Sequence, residues 1–64
     1  MKINGKSVPY VAPETLRDCL ERHGFDPARV AVERNGAIVP KGDFSALCLA
    51  EEDVLEVVSF VGGG

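Results

Sequence analysis

The dipeptide Asn-Gly occurs twice in this chain, at positions 4–5 and 35–36, each time between short stretches of apolar residues. Asparagine and glycine both tolerate the positive φ angles that a two-residue hairpin turn requires, so the pair is a strong hairpin signal. We therefore expect two hairpins, with strands over residues 1–4, 7–11, 31–34 and 37–39. A sheet built in this way has to bury one of its faces against another layer.

A segment between the two hairpins has the periodicity of a helix. Its apolar side recurs at intervals of three and four positions, at Leu16, Cys19, Leu20 and His23. Its charged side is formed by Glu14, Arg17, Asp18, Glu21 and Arg22. We expect a helix from roughly Glu14 to His23, with Pro13 in its first turn and Gly24 as the residue that ends it. Thr15 with Asp18 three residues on also resembles a capping box, which would move the start by a residue or two. Asp18 and Arg22 are spaced for an ion pair.

The last apolar segment, residues 53–61, alternates in the manner of a half-buried strand. The alternation predicts one face made by Leu55 and Val57 and an opposite face made by Glu56, Val58 and Phe60. Residues 42–49 are expected to form an irregular connection with room for a short edge strand. One helix against four or five strands predicts a two-layer α+β fold. If the last strand lies beside the first, the fold is a β-grasp, with residues 1–60 as the domain and residues 61–64 as a flexible tail.

The chain has 64 residues and a formal net charge of −3. A pocket of about 300 Å³ would take up most of the core of so small a domain, which disfavours an enzyme. The acidic balance disfavours nucleic-acid binding, because that binding needs a basic face. We therefore expect a monomeric binding or carrier protein that docks on a basic protein surface.

The two cysteines, Cys19 and Cys48, are far apart in the sequence and have no clustered histidine. Their spacing indicates neither a metal site nor a redox pair. We expect Cys19 to be a buried and inert thiol, Cys48 to have a structural role, and His23 to bind carbonyl groups at the helix end. Because the first residues contain no apolar run long enough for a signal or a membrane span, we expect a cytoplasmic protein.

Four residues, Val61-Gly62-Gly63-Gly64, follow the apolar end of the last strand. The glycines add no side chain to the packing and lose much conformational freedom when they are ordered. A frayed terminus is one interpretation of such a tail. The other is functional, because a tail of this length reaches at most about 14 Å and can thread a slot too narrow for side chains. We expect it to carry the carboxylate of Gly64 into the active site of another protein.

A carboxylate is a poor acyl donor at neutral pH and has to be activated, most simply as an acyl-adenylate made from ATP. The sequence contains no phosphate-binding loop of the GxxxxGK[ST] type and no paired nucleophile and base. We therefore expect no catalytic residue, bound cofactor or metal in this chain, and a separate adenylating enzyme that uses ATP. The adenylate could then react with sulfur, which gives a thiocarboxylate, or with an amine, which gives a protein conjugate.

The segments over residues 32–40 and 53–64, together with Thr15-Leu16 at the helix start, resemble the ThiS family of sulfur carriers from thiamine biosynthesis. The resemblance covers essentially the whole chain and departs from the family pattern at residues 49–53. It implies a ubiquitin-like β-grasp fold and adenylation of Gly64 by a ThiF-type enzyme. It also implies that sulfur comes from the persulfide of a cysteine desulfurase, and that the Gly64 thiocarboxylate donates it to a ThiG-type thiazole synthase.

Three alternatives remain open at this point. A MoaD-like carrier for molybdopterin synthesis would use the same chemistry. A ubiquitin-like modifier would join Gly64 to lysine side chains. A plain interaction module would carry the tail incidentally.

Side chains next to the tail are candidates for docking on a partner. Phe60, Val58 and Glu56 alternate away from the predicted core face of the last strand, so a partner could cover them. Acidic residues also gather near this strand, at Glu51, Glu52, Asp53 and Glu56. A solvated surface and a docking patch for a basic partner are equally compatible with this cluster.

Overall fold

The computed structural model describes residues 1–60, which contain five strands and one α-helix. The elements are strand β1 (Lys2–Ile3), strand β2 (Lys6–Ser7), helix α1 (Leu16–Arg22), strand β3 (Val30–Arg34), strand β4 (Ala37–Ile38) and strand β5 (Val54–Ser59). The strands form one mixed sheet in the order β2-β1-β5-β3-β4. The last strand runs parallel to β1 and antiparallel to β3, so it lies at the centre, beside the first strand. This is the predicted β-grasp arrangement.

The core lies between α1 and one face of the sheet. The helix contributes Leu16, Cys19 and Leu20, which have no exposed surface. The sheet contributes Ile3, Val30, Val32, Leu55 and Val57, and the connection before β5 adds Phe44 and Leu49. All of these side chains lie between residues 3 and 57 of the chain. No helix within residues 1–60 is long and apolar enough to cross a membrane.

Both Asn-Gly turns have the predicted backbone geometry, with φ between +51° and +86° at their four residues. The strands are shorter than the sequence pattern predicted, most clearly after the first turn, where β2 ends at Ser7 instead of Val11. The amide of Val8 still donates to the Met1 carbonyl at 3.0 Å. This register pairs Val8 with Met1, so the described residues hold no strand partner for Pro9 and the residues after it, and β2 ends early.

Helix α1 starts later than predicted. Thr15 has an extended backbone, and its hydroxyl accepts a hydrogen bond from the Asp18 amide at 3.2 Å. Threonine is therefore the N-cap, and the helix begins at the next residue. The start is the one that the Thr15 and Asp18 capping signal indicated, two residues after Glu14, and Pro13 does not lie in the first turn.

Gly24 is the left-handed residue that caps the end of the helix, as the sequence predicted. This glycine has a φ of +83°, and the following amide, of Phe25, donates to the Leu20 carbonyl at 2.9 Å. A bond of this kind across a left-handed glycine closes a Schellman motif. His23 is the C-cap residue and lies just outside the helix.

Arg22 forms an ion pair with Glu14 instead of the predicted pair with Asp18. Its Nε donates to Glu14 Oε2 at 2.7 Å and its Nη2 donates to Oε1 at 3.0 Å. Glu14 is buried, so its assignment to the charged outer side of the helix is wrong. The hydrogen bonds from the guanidinium hold the pKa of Glu14 below its ordinary value. This pair ties the segment before the helix to its last turn.

The connection before β5 is more regular than predicted, but it contains no edge strand. It opens with a 3₁₀ turn over Lys41–Asp43, and Cys48 then forms a single antiparallel bridge with Thr15 at the helix start. Phe44 and Leu49 from this segment are buried. The connection therefore closes the end of the core next to the start of the helix.

Candidate functional site

The C-terminal residues follow directly on β5, the strand at the centre of the sheet. After the end of this strand the Phe60 amide donates to the Arg29 carbonyl at 2.9 Å, which anchors the chain at this point. The described residues do not include Gly64, which is predicted to be modified. They also do not include Val61, Gly62 and Gly63, which are predicted to thread the active site of a partner. What the structure describes is the surface beside their point of attachment.

The side chains of β5 alternate between the core and the opposite side of the sheet. Leu55 and Val57 are 0% and 6% exposed, whereas Val58 and Phe60 are 62% and 53% exposed. Glu56, which lies between Leu55 and Val57 in the sequence, is exposed as well. The predicted face assignment is confirmed. That Phe60, Val58 and Glu56 contact a partner stays a prediction.

The strand register places further residues on this side of the sheet. Between β5 and β3, Glu56 lies opposite Glu33 and Val58 lies opposite Ala31. On the other side of β3, Ile38 of β4 lies opposite Glu33. We call this surface the outer face; it consists of Lys2, Arg29, Ala31, Glu33, Ile38, Val54, Glu56, Val58 and Phe60. Several of its apolar side chains are exposed, as expected for a surface that contacts another protein.

Lys41 lies at the end of the outer face from which the C-terminal residues leave. Its ammonium group donates to the Ala28 carbonyl at 2.6 Å and lies 5.5 Å from the centre of the Phe60 ring. A cation at that distance from an aromatic ring is attracted to it. This contact could not be predicted from the sequence, because the two residues are nineteen positions apart in the chain. Lys41 therefore helps to hold the Phe60 ring in place just past the end of β5.

The asparagines of the two turns hold β5 in place. The side-chain Nδ2 of Asn4 donates to the Val57 carbonyl at 3.1 Å, and its Oδ1 accepts from the backbone amide of Val57 at 2.7 Å. On the other side of the strand, Asn35 Oδ1 accepts from the Val54 amide at 2.9 Å. Sequence reasoning assigned both asparagines to turns and missed this second role. The strand that leads to the tail is therefore fixed by side chains as well as by the ladder.

Asp53 is a structural residue and does not belong to an exposed acidic patch. It is 2% exposed, and its carboxylate accepts hydrogen bonds from Arg34, Asn35 and the Ala50 amide at 2.8–3.0 Å. Burial alone would raise the pKa of this carboxyl, but the three hydrogen bonds outweigh it and hold the pKa below its ordinary value. The remaining acids of the predicted cluster stay exposed, with Glu51 and Glu52 in the turn before β5.

The two cysteines differ in their burial. Cys19 is buried, as predicted, and burial raises the pKa of its thiol to about 11, which disfavours the reactive thiolate. Cys48 is exposed, and its structural role stays a prediction. The Nε2 atom of His23 is buried without a hydrogen-bond partner among the described residues, so this atom of the ring does not bond to a carbonyl there. Residues 1–60 contain no group of three side chains placed to hold a metal ion.

Comparison with known proteins gives consistent matches for the whole chain. The family model described as the ThiS family matches residues 1–64. The sulfur carrier protein ThiS of Bacillus subtilis (strain 168) is 37% identical over 65 residues, which cover 100% of this chain and 98% of that protein. The crystal structure of the thiamine biosynthesis protein ThiS from Geobacter metallireducens aligns with a TM-score of 0.75 at 26% identity. It covers 98% of this chain and 96% of that one.

A match to a much longer protein is also informative. A thiazole synthase of Magnetococcus marinus is 47% identical over 62 residues. The alignment covers 97% of this chain but 19% of that protein, so the chain spans about a fifth of the length of this relative. The resemblance is therefore to one segment of the longer protein.

Proposed function

This chain belongs to the ThiS family, and from that premise we propose that it is a cytoplasmic sulfur carrier protein of thiamine biosynthesis whose reactive group is the carboxylate of Gly64. A ThiF-type enzyme adenylates this carboxylate, sulfur converts it to a thiocarboxylate, and the thiocarboxylate supplies sulfur for thiazole formation. The chain acts as a co-substrate of its partner enzymes and not as an enzyme itself.

The activation step uses ATP bound by the partner. A carboxylate oxygen of Gly64 attacks the α-phosphorus of ATP, pyrophosphate leaves, and an acyl-adenylate forms. The terminal sulfur of a cysteine desulfurase persulfide then attacks the carbonyl carbon, and AMP leaves. A second thiol attacks the sulfur–sulfur bond of the resulting acyl disulfide, which releases the thiocarboxylate and leaves the two thiols joined as a disulfide.

The observation that carries the proposal is the place in the fold where the described residues end. Val61-Gly62-Gly63-Gly64 follows Phe60 in the sequence, one residue after the end of the central strand β5. The exposed side chains of Val58 and Phe60 precede it on the outer face. A partner that covers these side chains is well placed to receive the tail, and we propose that Phe60, Val58 and Glu56 form the docking contact.

The longer relative supports the choice of acceptor. In the thiazole synthase of Magnetococcus marinus, a segment similar to this chain is part of the same polypeptide as the rest of that protein. Joining a carrier to the enzyme that uses it raises the effective concentration of one at the other. We therefore propose a ThiG-type thiazole synthase as the acceptor for this chain, in preference to the molybdopterin branch.

The adenylation step can be tested by ATP–pyrophosphate exchange with a purified ThiF-type enzyme. We expect exchange with the natural chain, and none with a chain that lacks Gly64 or carries one added alanine after it. The reason is geometric, because a misplacement of about 1 Å can cost about 10²-fold in rate. Thermal melts serve as the control and should agree for all three proteins. Normal exchange with the extended chain would contradict the proposal, and ligation of Gly64 to lysine side chains would identify a modifier instead.

A further inference from the structure

Two carboxylates face each other across the centre of the outer face. Glu33 of β3 and Glu56 of β5 are direct partners in the antiparallel register and both are exposed. Side chains in such a position have Cβ atoms about 5 Å apart, and like charges there destabilise the sheet. None of the salt bridges within residues 1–60 includes either glutamate. No salt bridge in the described part of the chain therefore offsets this repulsion.

Apolar side chains flank the two carboxylates. Ile38 is the direct partner of Glu33 on its other side and is 69% exposed. Val58 follows Glu56 by two positions on the same face of β5, toward the tail. A group that binds between the glutamates would therefore also cover apolar surface, which excludes water and strengthens the electrostatic contact.

The opposite charge lies at the tail end of the same face. Arg29 lies opposite Phe60 but forms a salt bridge with Asp26 at 3.5 Å. The Lys41 ammonium lies over the Phe60 ring and belongs to none of the salt bridges within residues 1–60, so it supplies the positive charge at this end. The four residue steps from Glu56 to Phe60 span about 13 Å of strand. From Phe60 back to Glu56, the outer face is therefore basic, then apolar, then acidic, and Lys2 beside Val54 lies beyond the acidic part.

We propose that the ThiF-type partner carries the reverse order of charge, with carboxylates at the mouth of the slot that receives the tail and a guanidinium group that inserts between Glu33 and Glu56. An arginine suits the second position because its planar group has five donors and can bridge two carboxylates. The inference rests on the proposed function. It adds that the charge order sets the direction of docking, since the reversed orientation would bring like charges together.

Titration calorimetry of the ThiF-type enzyme with three forms of the chain tests this inference. The first is the natural chain and the second carries Glu33→Gln and Glu56→Gln. The third carries Glu51→Gln and Glu52→Gln, which changes the net charge equally in the exposed turn before β5. We expect the Glu33/Glu56 variant to bind at least about tenfold more weakly. The Glu51/Glu52 variant should bind within about twofold of the natural chain, because rim charges contribute little to affinity.

A second readout separates docking from folding. Because the two glutamates repel each other, the Glu33/Glu56 variant should melt at the same temperature as the natural chain or above it, although it binds more weakly. Lys41→Gln should also weaken binding several-fold, and the salt dependence of binding should be shallower for both variants. A purely structural role of these charges would instead lower the melting temperature and leave the salt dependence of binding unchanged.

The outcomes distinguish this inference from the function on which it rests. If the natural chain supports pyrophosphate exchange but both double variants bind equally well, the charge-order inference is wrong and the proposed function stands. If the natural chain neither binds nor supports exchange, both are wrong.

Discussion

The side chain of Asn4 bonds to both backbone groups of Val57, accepting from its amide at 2.7 Å and donating to its carbonyl at 3.1 Å. The two residues are 53 positions apart. Asn4 lies just past the end of β1, so its amide group continues the hydrogen bonding of that strand where the backbone turns away. The bond pair thus joins the first hairpin to the strand that leads to the C-terminal residues.

Replacing Asn4 by glycine should lower the free energy of unfolding by about 1–2 kcal/mol, because two partly buried hydrogen bonds are lost. Glycine tolerates the φ of +53° at this position, so the substitution tests the side chain and not the turn. Denaturant unfolding gives the free energy. Gly5→Ala is the comparison for strain alone, since its φ is +82° and a Cβ there has open space. An Asn4→Gly variant as stable as the natural protein would show that the bonds contribute nothing net.

The buried carboxyl of Asp53 predicts a loss of stability in acid. Its pKa in the folded protein lies below its ordinary value of 3.8, and that of Glu14 lies below 4.5. As the pH falls, these two carboxyls therefore take up protons in the unfolded chain before they do so in the folded protein. The stabilisation that the two carboxylates contribute is complete above their ordinary pKa values and is lost as the pH falls through their lower pKa values in the folded protein. Unfolding measured from pH 6 down to about pH 2 should show this fall.

Asp53→Asn should lower the free energy of unfolding by about 2–3 kcal/mol at neutral pH. The reason is that the Arg34 guanidinium loses its carboxylate partner and the Ala50 amide loses a strong hydrogen-bond acceptor. The variant should also lose less stability than the natural protein on acidification, since one of the two responsible carboxyls is gone. Glu52→Gln is the matched exposed control and should leave both quantities unchanged. Equal acid sensitivity of Asp53→Asn and the natural protein would contradict the assignment.

Phe60 and Leu55 should respond in opposite ways to truncation. Leu55→Ala leaves a cavity in the core and should cost about 2–5 kcal/mol of stability. Phe60→Ala removes a side chain that is 53% exposed and should cost less than about 1 kcal/mol. At a docking surface, however, an aromatic anchor can contribute about 2 kcal/mol, or roughly thirtyfold in affinity. Unfolding and titration with the ThiF-type enzyme measure the two effects. A Phe60→Ala variant that binds normally would remove Phe60 from the docking contact.

Gly63→Val tests the slot expected in the partner. The substitution keeps the terminal carboxylate but adds a branched side chain and restricts the backbone. We expect adenylation to be lost while the melting temperature stays the same, because the core side chains all lie between residues 3 and 57. Gly63→Ala provides a graded control with a smaller side chain. Full activity of the valine variant would mean that no narrow slot surrounds this residue.

The features that the sequence predicted correctly are those that depend on residues close together in the chain. The Asn-Gly turns, the glycine cap of the helix and the two-residue alternation of β5 each follow from local backbone chemistry, and all three are present. The face assignment of Phe60 follows from the same alternation. The part of the candidate site that lies on one strand could therefore be predicted.

Contacts across the fold could not be predicted in this way. Asp53 looked like one acid among four, and only the position of Arg34 in the folded sheet makes it a buried partner. Glu14 likewise became a buried partner because Arg22 reaches back over about two turns of the helix to the segment before it. The pairing of Glu33 with Glu56 depends on a strand register that joins residues 23 positions apart. These relationships are set by topology, which periodicity does not specify.

The central claim is that Gly64 carries sulfur, and mass spectrometry of the intact chain tests it most directly. The chain is incubated with ATP, the ThiF-type enzyme and a cysteine desulfurase with cysteine, and a parallel reaction omits ATP. We predict a mass increase equal to the replacement of one oxygen by sulfur, located on the C-terminal peptide and absent without ATP. An unchanged mass in the complete reaction, with an enzyme shown to be active on its own carrier, would contradict the claim.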